Sequence, residues 1–202
     1  MCFKRPFYFA KKGYVKIMEE KIQEIIMNAT FLLLENKDMN SISVREIAKQ
    51  ANVNVAAISY YFGGKSGLFS RMMEKYWKDI TLLCAEIVGK EEMSKKEAKN
   101  FCLRFMKKQM NSTGILRSEQ IMYQNYEIDI KTKERIELQF KAFTHLVGKC
   151  NPNCNEESIK IKVLSLLSSL THPAFWNEIA ENIVGDKETF MMAYVSQLVE
   201  CL

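Results

Sequence analysis

Residues 43–65 have the sequence Ser-Val-Arg-Glu-Ile-Ala-Lys-Gln-Ala-Asn-Val-Asn-Val-Ala-Ala-Ile-Ser-Tyr-Tyr-Phe-Gly-Gly-Lys, which predicts two short helices joined by a turn. Ser43 and Glu46 have the spacing of a capping box, in which each side chain satisfies a free backbone N–H at a helix start. Asn52 is expected to end this first helix, because asparagine tolerates the left-handed backbone of a sharp turn. Asn54 can then cap the second helix.

The second helix is predicted over residues 55–62, and its outward face is unusual. Ile58 and Phe62 lie four residues apart and point inward. The outward positions carry small or uncharged side chains, namely Val55, Ala56, Ser59 and Tyr60. A helix that enters the major groove of DNA needs such a slim face, because base edges and thymine methyls must come close. The alternative is a plain helical hairpin, which the capping box alone does not exclude.

Residues 18–76 resemble the DNA-binding domain of the tetracycline-repressor (TetR) family of bacterial transcription regulators. The resemblance rests on an ordered set of matching segments, which are Val-Arg-Glu-Ile-Ala at 44–48, Ala-Asn-Val-Asn at 51–54, Ile-Ser-Tyr-Tyr-Phe at 58–62, and Lys65 with Leu68 and Phe69. Two positions depart from the pattern. Asn52 stands where the family has a turn glycine, and Ser59 stands where many members have a tyrosine that touches DNA.

The resemblance implies a double-stranded DNA operator as partner and assigns roles to ten residues. The residues placed to contact phosphates are Ser43, Tyr60, Tyr61 and Lys65, and Tyr61 also lies within reach of a base. The residues placed to read bases are Arg45, Asn54, Val55, Ala56, Ala57 and Ser59. Among these, arginine suits guanine and asparagine suits adenine.

Composition predicts an all-α protein with long helices. The chain has 202 residues, 48% of them hydrophobic, with only 3 prolines and 8 glycines. This is enough for a three-helix helix-turn-helix domain at 18–64 joined to a larger helical domain at 65–202. No run of eighteen apolar residues occurs, so a membrane partner is not expected.

Residues 1–17 form a basic N-terminal extension with two open interpretations. Residues 1–16 contain five basic and no acidic side chains, and the net charge of +5 lies entirely within residues 1–75. The extension could be a basic arm that follows the DNA backbone. Alternatively, Met18 is the true start, because the family-like first helix opens there. Neither interpretation assigns a binding residue to this segment.

Apolar periodicity predicts further helices along the rest of the chain. They are expected at about 17–35, from 65 onward, and at 94–110, 117–127, 131–150, 156–171, from 174, and 187–202. In the resembling family the helix that begins at residue 65 links the two domains, and the last two long helices pair with the same helices of a second subunit. A homodimer is therefore expected through 156–171 and 187–202, although their apolar stripes could equally form monomer core.

The larger domain of a TetR-like protein would hold a small-molecule effector. Candidate contacts are the apolar and aromatic residues of the central helices and the two histidines, which are Phe105, Met106, Met122, Tyr123, Tyr126, Phe140, Phe143, His145, His172 and Trp176. Methionines and aromatic rings would suit a bulky apolar molecule. At most of these positions ordinary core packing is the alternative.

No sequence motif indicates catalysis, a cofactor or a metal. The chain lacks a phosphate-binding glycine loop, a nucleophile elbow and a His-Glu metal helix. Cys150 and Cys154 could form a redox switch or bind a thiophilic metal, but most such pairs do neither. Without an export signal the cysteines are expected to be reduced thiols in a cytoplasm. The resemblance implies a ligand-responsive repressor. An activator, or a protein that acts through a protein partner, remains open.

Overall fold

The computed structural model describes residues 6–35, 37, 39–125, 130–176 and 185–202, with side chains described in 17–35, 37, 39–120, 130–175 and 185–202. No strand occurs in these segments, and the all-α prediction is confirmed. The elements are α1 (Pro6–Leu34), α2 (Val44–Ala51), α3 (Val55–Phe62), α4 (Lys65–Val88), α5 (Lys95–Met110), α6 (Thr113–Asn125), α7 (Ile130–Cys150), α8 (Glu156–Thr171), a 3₁₀ turn (His172–Trp176) and α9 (Lys187–Glu200).

The first helix begins earlier than the sequence predicted. We expected it to start near residue 17 and to follow a basic extension, but α1 begins at Pro6. Proline is well tolerated in the first turn of a helix, where its missing N–H would have no partner anyway. Of the predicted extension, residues 6–17 therefore belong to α1, and residues 1–5 lie outside the described part of the chain.

The chain forms two compact units, Met1–Met73 and Glu74–Leu202. In the first unit α1 packs against α2 and α3. The core of this unit contains fully buried apolar side chains from every helix, including Ile26, Leu34, Ile47, Ile58, Leu68 and Met72. The predicted domain boundary at residues 64 and 65 coincides with the start of α4. Leu68 and Met72 in the first turns of α4 are buried, and the boundary between the two compact units follows them, after Met73.

Gly67 lets α4 start close to the end of α3. A Cβ atom on Gly67 would lie 1.8 Å from the carbonyl oxygen of Phe62, which is a severe overlap with backbone. Gly63 and Gly64 between the two helices have φ values of 72° and 110°. Such positive φ values are strained for residues with a side chain. The second helix has the predicted bounds of 55–62, and Gly63 is its C-cap.

In the second unit α5 is the central helix, with α6, α8, the 3₁₀ turn and α9 packed against it, while α7 packs against α8. An aromatic cluster lies in the core, with ring centroids of Phe105 and Phe143 at 4.9 Å and those of Phe101 and Phe143 at 5.3 Å. Exposed ion pairs join α5 to α9, in which Lys95 and Lys99 both contact Glu200.

The two helices of the expected dimer interface have the predicted bounds within two residues. Their apolar residues divide between core and surface. Ile161 and Leu164 on α8 are 60% and 55% exposed. By contrast, Met191 and Val195 on α9 are buried in the protomer, so these two positions of the expected interface are core. Hydropathy alone does not distinguish the exposed apolar residues from the buried ones, because both kinds occur at helical spacing.

α8 ends at Thr171 as predicted, but the element that follows it differs from the prediction. We expected a short α-helix from residue 174, and the structure has a 3₁₀ turn at His172–Trp176. Residues 177–184 lie outside the described part of the chain.

Replacing Asn52 tests the left-handed turn between α2 and α3. Asn52 has φ 52° and ψ 46° and is exposed, so its substitution changes the backbone preference without removing core contacts. We expect Asn52→Ala to lower the free energy of unfolding by about 1 kcal/mol, because alanine pays a steric cost in this conformation. Asn52→Gly is the matched control and should lose no stability in urea unfolding. Equal losses for both variants would contradict this account.

Candidate functional site

The N-terminus of α2 is held by a complete capping box. The Glu46 N–H donates to the Ser43 hydroxyl at 3.2 Å, and the Ser43 N–H donates to the Glu46 carboxylate at 2.8 Å. Lys37 Nζ contacts the same carboxylate at 2.6 Å. The hydrogen bond from Lys37, followed by those from Ser43, lowers the pKa of Glu46 from 4.5 to about 2. The predicted phosphate contact Ser43 is therefore also the residue that starts α2.

The turn into α3 has the predicted geometry. Asn52 is the left-handed C-cap of α2, and Asn54 is the N-cap of α3, its side-chain oxygen accepting from the Ala56 N–H at 2.8 Å. An asparagine that reads adenine uses both its oxygen and its nitrogen. Because the oxygen of Asn54 already holds the cap, its amide nitrogen is the group better placed to reach a base.

The outward face of α3 carries the uncharged residues that the sequence placed there. Val55 and Tyr60 are 44% and 74% exposed, Ala56 and Ser59 are exposed as well, and Ile58 is fully buried. Ala57 is only half-buried. The Tyr60 and Tyr61 rings meet edge to face at 4.8 Å, so they stand together at the C-terminal end of the helix.

Arg45 and Lys65 lie on either side of α3 in the chain and differ in their surroundings. Arg45 is exposed on α2, and no residue in the described segments pairs with its guanidinium. Lys65, at the start of α4, donates to the Asn40 carbonyl oxygen at 3.3 Å and lies 6.0 Å from the centroid of the Phe69 ring. An ammonium has three N–H donors, so this contact leaves donors for a phosphate.

These elements match a known family. Residues 26–72 match the family model described as bacterial regulatory proteins, tetR family. The chain carries a TetR-family helix-turn-helix domain. A probable helix-turn-helix transcriptional regulator of Bacillus subtilis (strain 168), YttP, is 41% identical over 61 residues, which cover 30% of this chain and 30% of that protein. The sequence similarity to YttP thus spans less than a third of each chain.

Solved structures share the fold over most of the chain. A TetR-like transcriptional regulator from Rhodococcus sp. RHA1 has a TM-score of 0.63 at 15% identity, covering 89% of this chain and 93% of that one. The transcriptional regulator FadR from Bacillus subtilis, solved in complex with stearoyl-CoA, has a TM-score of 0.54 at 15% identity, covering 89% and 98%. The TetR-type architecture therefore extends through the second unit.

The second unit contains a cavity of about 230 Å³ among α4, α5, α6, α7, α8 and the 3₁₀ turn. Among the described residues, its lining has three aromatic, five polar and two aliphatic side chains. These are Tyr76, Trp77 and Phe175, then Gln109, Glu119, Gln120, Gln139 and Thr171, and finally Leu116 and Ile136. The Tyr76 hydroxyl donates to Gln109 Oε1 at 2.6 Å, and the Trp77 indole N–H donates to the Glu119 carboxylate. Buried polar groups concentrated in this way are typical of a binding site.

None of the predicted effector contacts whose side chains the structure describes lines this cavity. Phe105, Met106 and Phe143 are fully buried and belong to the aromatic core, while Phe140 is 39% exposed on α7. Tyr126 and the side chains of Met122, Tyr123 and Trp176 lie outside the described part of the chain. We had selected the most apolar positions of the central helices as ligand contacts. These are the positions most readily buried in the hydrophobic core.

The two histidines are not brought together. The His145 Nε2 lies 2.6 Å from the Lys90 carbonyl oxygen, so this ring is held by the backbone between α4 and α5. His172 opens the 3₁₀ turn and is exposed, with its ring 6.4 Å from that of Phe175. His145 therefore fits a structural role, which was the alternative to contacting an effector. His172 lies near Phe175, which lines the cavity.

Sequence analysis missed the polar residues of the cavity. Gln109 and Glu119 are 2% and 6% exposed, which is rare for such side chains. The signal in the sequence was the presence of these residues on inward positions of α5 and α6, beside apolar neighbours. That signal is weak, since glutamine and glutamate are mostly found on protein surfaces. We had placed the start of α6 four residues too late.

The cysteines resemble structural thiols. Cys84 and Cys102 are fully buried, and burial raises the pKa of each to about 12. Cys150 and Cys154 are free and half-buried, and burial also raises the pKa of Cys150. A raised pKa lowers the fraction of reactive thiolate, which disfavours the redox switch at Cys150. In the described residues no group of three His, Cys, Asp or Glu side chains could hold a metal ion.

The Glu46 capping box makes a pH-dependent contribution to stability. The carboxylate has its pKa lowered to about 2 in the folded chain, so its stabilising effect is complete above its usual pKa of 4.5 and is lost as the pH falls toward 2. We expect Glu46→Gln to remove this part of the acid sensitivity. The measurement is the urea midpoint followed from pH 6 down to about pH 2.5. A variant that loses stability over this range as steeply as the parent protein would contradict the assignment.

Proposed function

We propose that this protein is a transcriptional regulator that binds a palindromic operator as a homodimer and is released by a small molecule. The observation that carries the proposal is the capped α2-turn-α3 pair, whose second helix offers solvent a narrow face without charge. A surface helix normally places lysine and glutamate at such positions. The TetR-family match over the same residues supports the same role.

In this proposal α3 lies in the major groove and its neighbours hold the backbone. Val55, Ala56, Ala57 and Ser59 face the base edges, together with Asn54 and Arg45. Ser43, Tyr60, Tyr61 and Lys65 contact phosphates. The phosphate contacts fix the position of the domain on DNA, while the base contacts decide which sequence is bound. The exposure of Arg45 and of the α3 residues supports this division.

The homodimer is supported by the exposed face of α8. Ile161 and Leu164 lie on one face of this helix with Ser165 and Ser168, which are also exposed, and none of the four is charged. Met192 on α9 is a further large apolar side chain that is 49% exposed. Large apolar side chains exposed on an uncharged helix face support an interaction site there. Two-fold symmetry then requires an operator with two half-sites one or more helical turns apart.

The effector is proposed to bind the cavity of the second unit. Tyr76 and Trp77 lie on α4, the helix that begins at Lys65 beside α3. A ligand that prefers one arrangement of α4 would shift the population of that arrangement, and about 1.4 kcal/mol of preference changes operator affinity tenfold. The FadR neighbour with bound stearoyl-CoA supports a ligand-binding second unit in this fold.

A second role for the same fold remains part of the proposal. An activator, or a regulator that works through a protein partner, would use the same α2 and α3 surface. The regulators to which the chain is similar support a role other than catalysis. In the described residues no helix combines the length and the apolarity that a membrane crossing requires.

Footprinting of the purified protein on the DNA upstream of its own gene tests the proposal. The binding reaction is repeated over a salt series, because phosphate contacts make affinity fall with salt. We expect a protected palindrome that weakens as salt rises. Equal binding to any DNA would instead indicate an architectural protein, and no binding at any salt would exclude the helix-turn-helix as a DNA-binding surface under these conditions.

Two substitutions distinguish positioning from base recognition. Lys65→Ala should weaken binding to every sequence and reduce the slope of log affinity against log salt by about 2, because each subunit of the dimer loses one phosphate contact. Arg45→Ala should cost about 1–3 kcal/mol per half-site and relax the preference at one base pair of each half-site. Lys133→Ala, an exposed lysine on α7 and outside the proposed interface, is the control and should change neither quantity. Unchanged operator affinity in both test variants would exclude these assignments.

Charge on the exposed face of α8 tests the dimer. We expect Leu164→Glu to convert the protein to a monomer, because like charges would face each other across a two-fold axis in an apolar contact. Leu82→Glu on α4 is the matched control, since Leu82 is 57% exposed and lies outside the proposed interface. Sedimentation velocity gives the mass of each variant. A dimeric Leu164→Glu protein would rule out this face as the interface.

A further inference from the structure

The side-chain amide of Gln109 is a buried polar group whose hydrogen bonding is only half complete. Gln109 lies near the end of α5 and is 2% exposed. Its Oε1 accepts the Tyr76 hydroxyl hydrogen at 2.6 Å. A carboxamide also has two N–H donors on its nitrogen, and none of the described residues accepts a hydrogen bond from Gln109 Nε2. Buried donors without an acceptor are rare, because leaving them unpaired is costly.

The cavity of the second unit is the place where an acceptor for this amide fits. Gln109 belongs to its lining, beside Tyr76 and Trp77. Two other donors of the lining are already engaged, since the Tyr76 hydroxyl donates to Gln109 and the Trp77 indole N–H donates to the Glu119 carboxyl group. An oxygen atom inside the cavity would complete the hydrogen bonding of Gln109.

The surroundings of the amide are apolar on one side of the cavity and polar on the other. Trp77 and Leu116 are buried with Gln109, whereas Gln139 is half-buried and Gln120 is exposed. The buried side therefore combines apolar surface with one unpaired amide nitrogen, and the side nearer to solvent has uncharged polar groups. Such a combination of apolar lining and a few polar groups orients a bound molecule.

We propose that this cavity binds a small neutral molecule that carries a carbonyl oxygen on an apolar or aromatic group. The carbonyl oxygen accepts from Gln109 Nε2, and the apolar group contacts Trp77, Leu116 and Phe175. This inference rests on the proposed function, because it names the class of effector for the same site. The cavity volume of about 230 Å³ is below the ~300–1,000 Å³ of pockets for drug-sized ligands, so the molecule is small.

The lining favours this class over anions and hydrocarbons. A carboxylate would also accept from Gln109, but no lysine or arginine is among the lining residues that the structure describes, and a buried anion without such a partner is costly. Arg135, which lies 5.6 Å from the centroid of the Trp77 ring, is not one of these lining residues. A hydrocarbon would contact the same rings but would leave the Gln109 donors unpaired.

Calorimetric titration of the full-length protein without DNA tests the ligand class. Acetophenone carries a carbonyl oxygen on a benzene ring, and α-methylstyrene has the same shape with a methylene group in place of that oxygen. Benzoate is the anionic comparison, and aniline is a neutral hydrogen-bond donor. We expect acetophenone to bind more tightly than benzoate and aniline. Failure of acetophenone to bind, or tighter binding of benzoate, would overturn the proposal.

Replacement of Gln109 isolates the contribution of the hydrogen bond. Gln109→Met removes the amide and keeps a side chain of similar length. It should lower the ratio of acetophenone affinity to α-methylstyrene affinity about tenfold, because only the carbonyl compound loses a hydrogen bond. Gln50→Met, at an exposed position on α2, is the matched control and should leave the ratio unchanged. Thermal melting confirms that both variants fold.

Two results with folded Gln109→Met would contradict the assignment. An unchanged affinity ratio would mean that Gln109 is purely structural or is satisfied by an ordered water. A loss of aniline affinity instead of acetophenone affinity would mean that the amide presents its oxygen to the ligand. Either result would overturn the proposal.

Nuclear magnetic resonance of the unmodified sequence gives a second, independent measurement. In the ¹⁵N-labelled protein, acetophenone should shift the proton signals of the Gln109 side-chain amide downfield, because these protons gain an acceptor. The isosteric α-methylstyrene should not produce this downfield shift. Equal shifts with both compounds would show that the carbonyl oxygen does not reach the amide, and would overturn the proposal even if Gln109→Met failed to fold.

The outcome is separable from that of the proposed function. If acetophenone binds through Gln109 and does not change the operator footprint, the ligand class stands and the effector role of the cavity fails. If the footprint is present and folded Gln109→Met keeps the parental affinity ratio, DNA binding stands and the ligand class fails. Calorimetry and footprinting thus test the two proposals independently.

Discussion

Neither α2 nor α3 can be stable by itself, and this constraint shapes the whole N-terminal unit. Each has eight residues, whereas isolated helices shorter than about 12–15 residues are marginal in water. Both therefore depend on burial against α1 and on caps at both ends. Ile47 and Ile58 provide the burial, while Ser43 and Asn54 provide the N-caps. The exposed residues on the outer faces of α2 and α3 are therefore not needed for core packing. Their side chains can be selected for binding a partner.

The capping residues contribute both to helix formation and to the proposed recognition surface. Ser43 and Asn54 are both placed toward the proposed DNA face and both complete a helix start. A loss of DNA binding after substitution of Ser43 or Asn54 would therefore not distinguish a loss of stability from a loss of recognition. Arg45 and Lys65 are cleaner probes, because the first has no partner in the described residues and the second contacts only a backbone carbonyl and a ring there.

The second unit follows a different principle, because its centre contains both a dry core and a polar cavity. Phe101, Phe105 and Phe143 fill the dry part with aromatic contacts. Beside them, Gln109 and Glu119 are buried with hydrogen-bond partners from α4. Buried polar groups cost stability compared with a well-packed apolar core. Gln109 and Glu119 each have a hydrogen-bond partner, which offsets part of this cost.

The sequence by itself determined the helix-turn-helix, since its signals are local. The Ser43 and Glu46 spacing, the tolerance of Asn52 for a left-handed turn and the glycines after Phe62 each act within a few residues. The alternation of buried Ile58 with exposed Val55 and Tyr60 is equally local. Helix periodicity also placed most later helices, whereas the start of α1 at Pro6 was missed because residues 1–17 were interpreted as a basic extension.

Only the tertiary structure decided which inward residues form core and which line a cavity. Phe105 and Gln109 lie four positions apart on α5, so the pattern of the helix places both inward. One is packed against Phe143, and the other faces the cavity with Tyr76. The difference comes from which helices lie opposite, and these are distant in the chain. Long-range packing of this kind leaves no local signal, whereas caps and turns do.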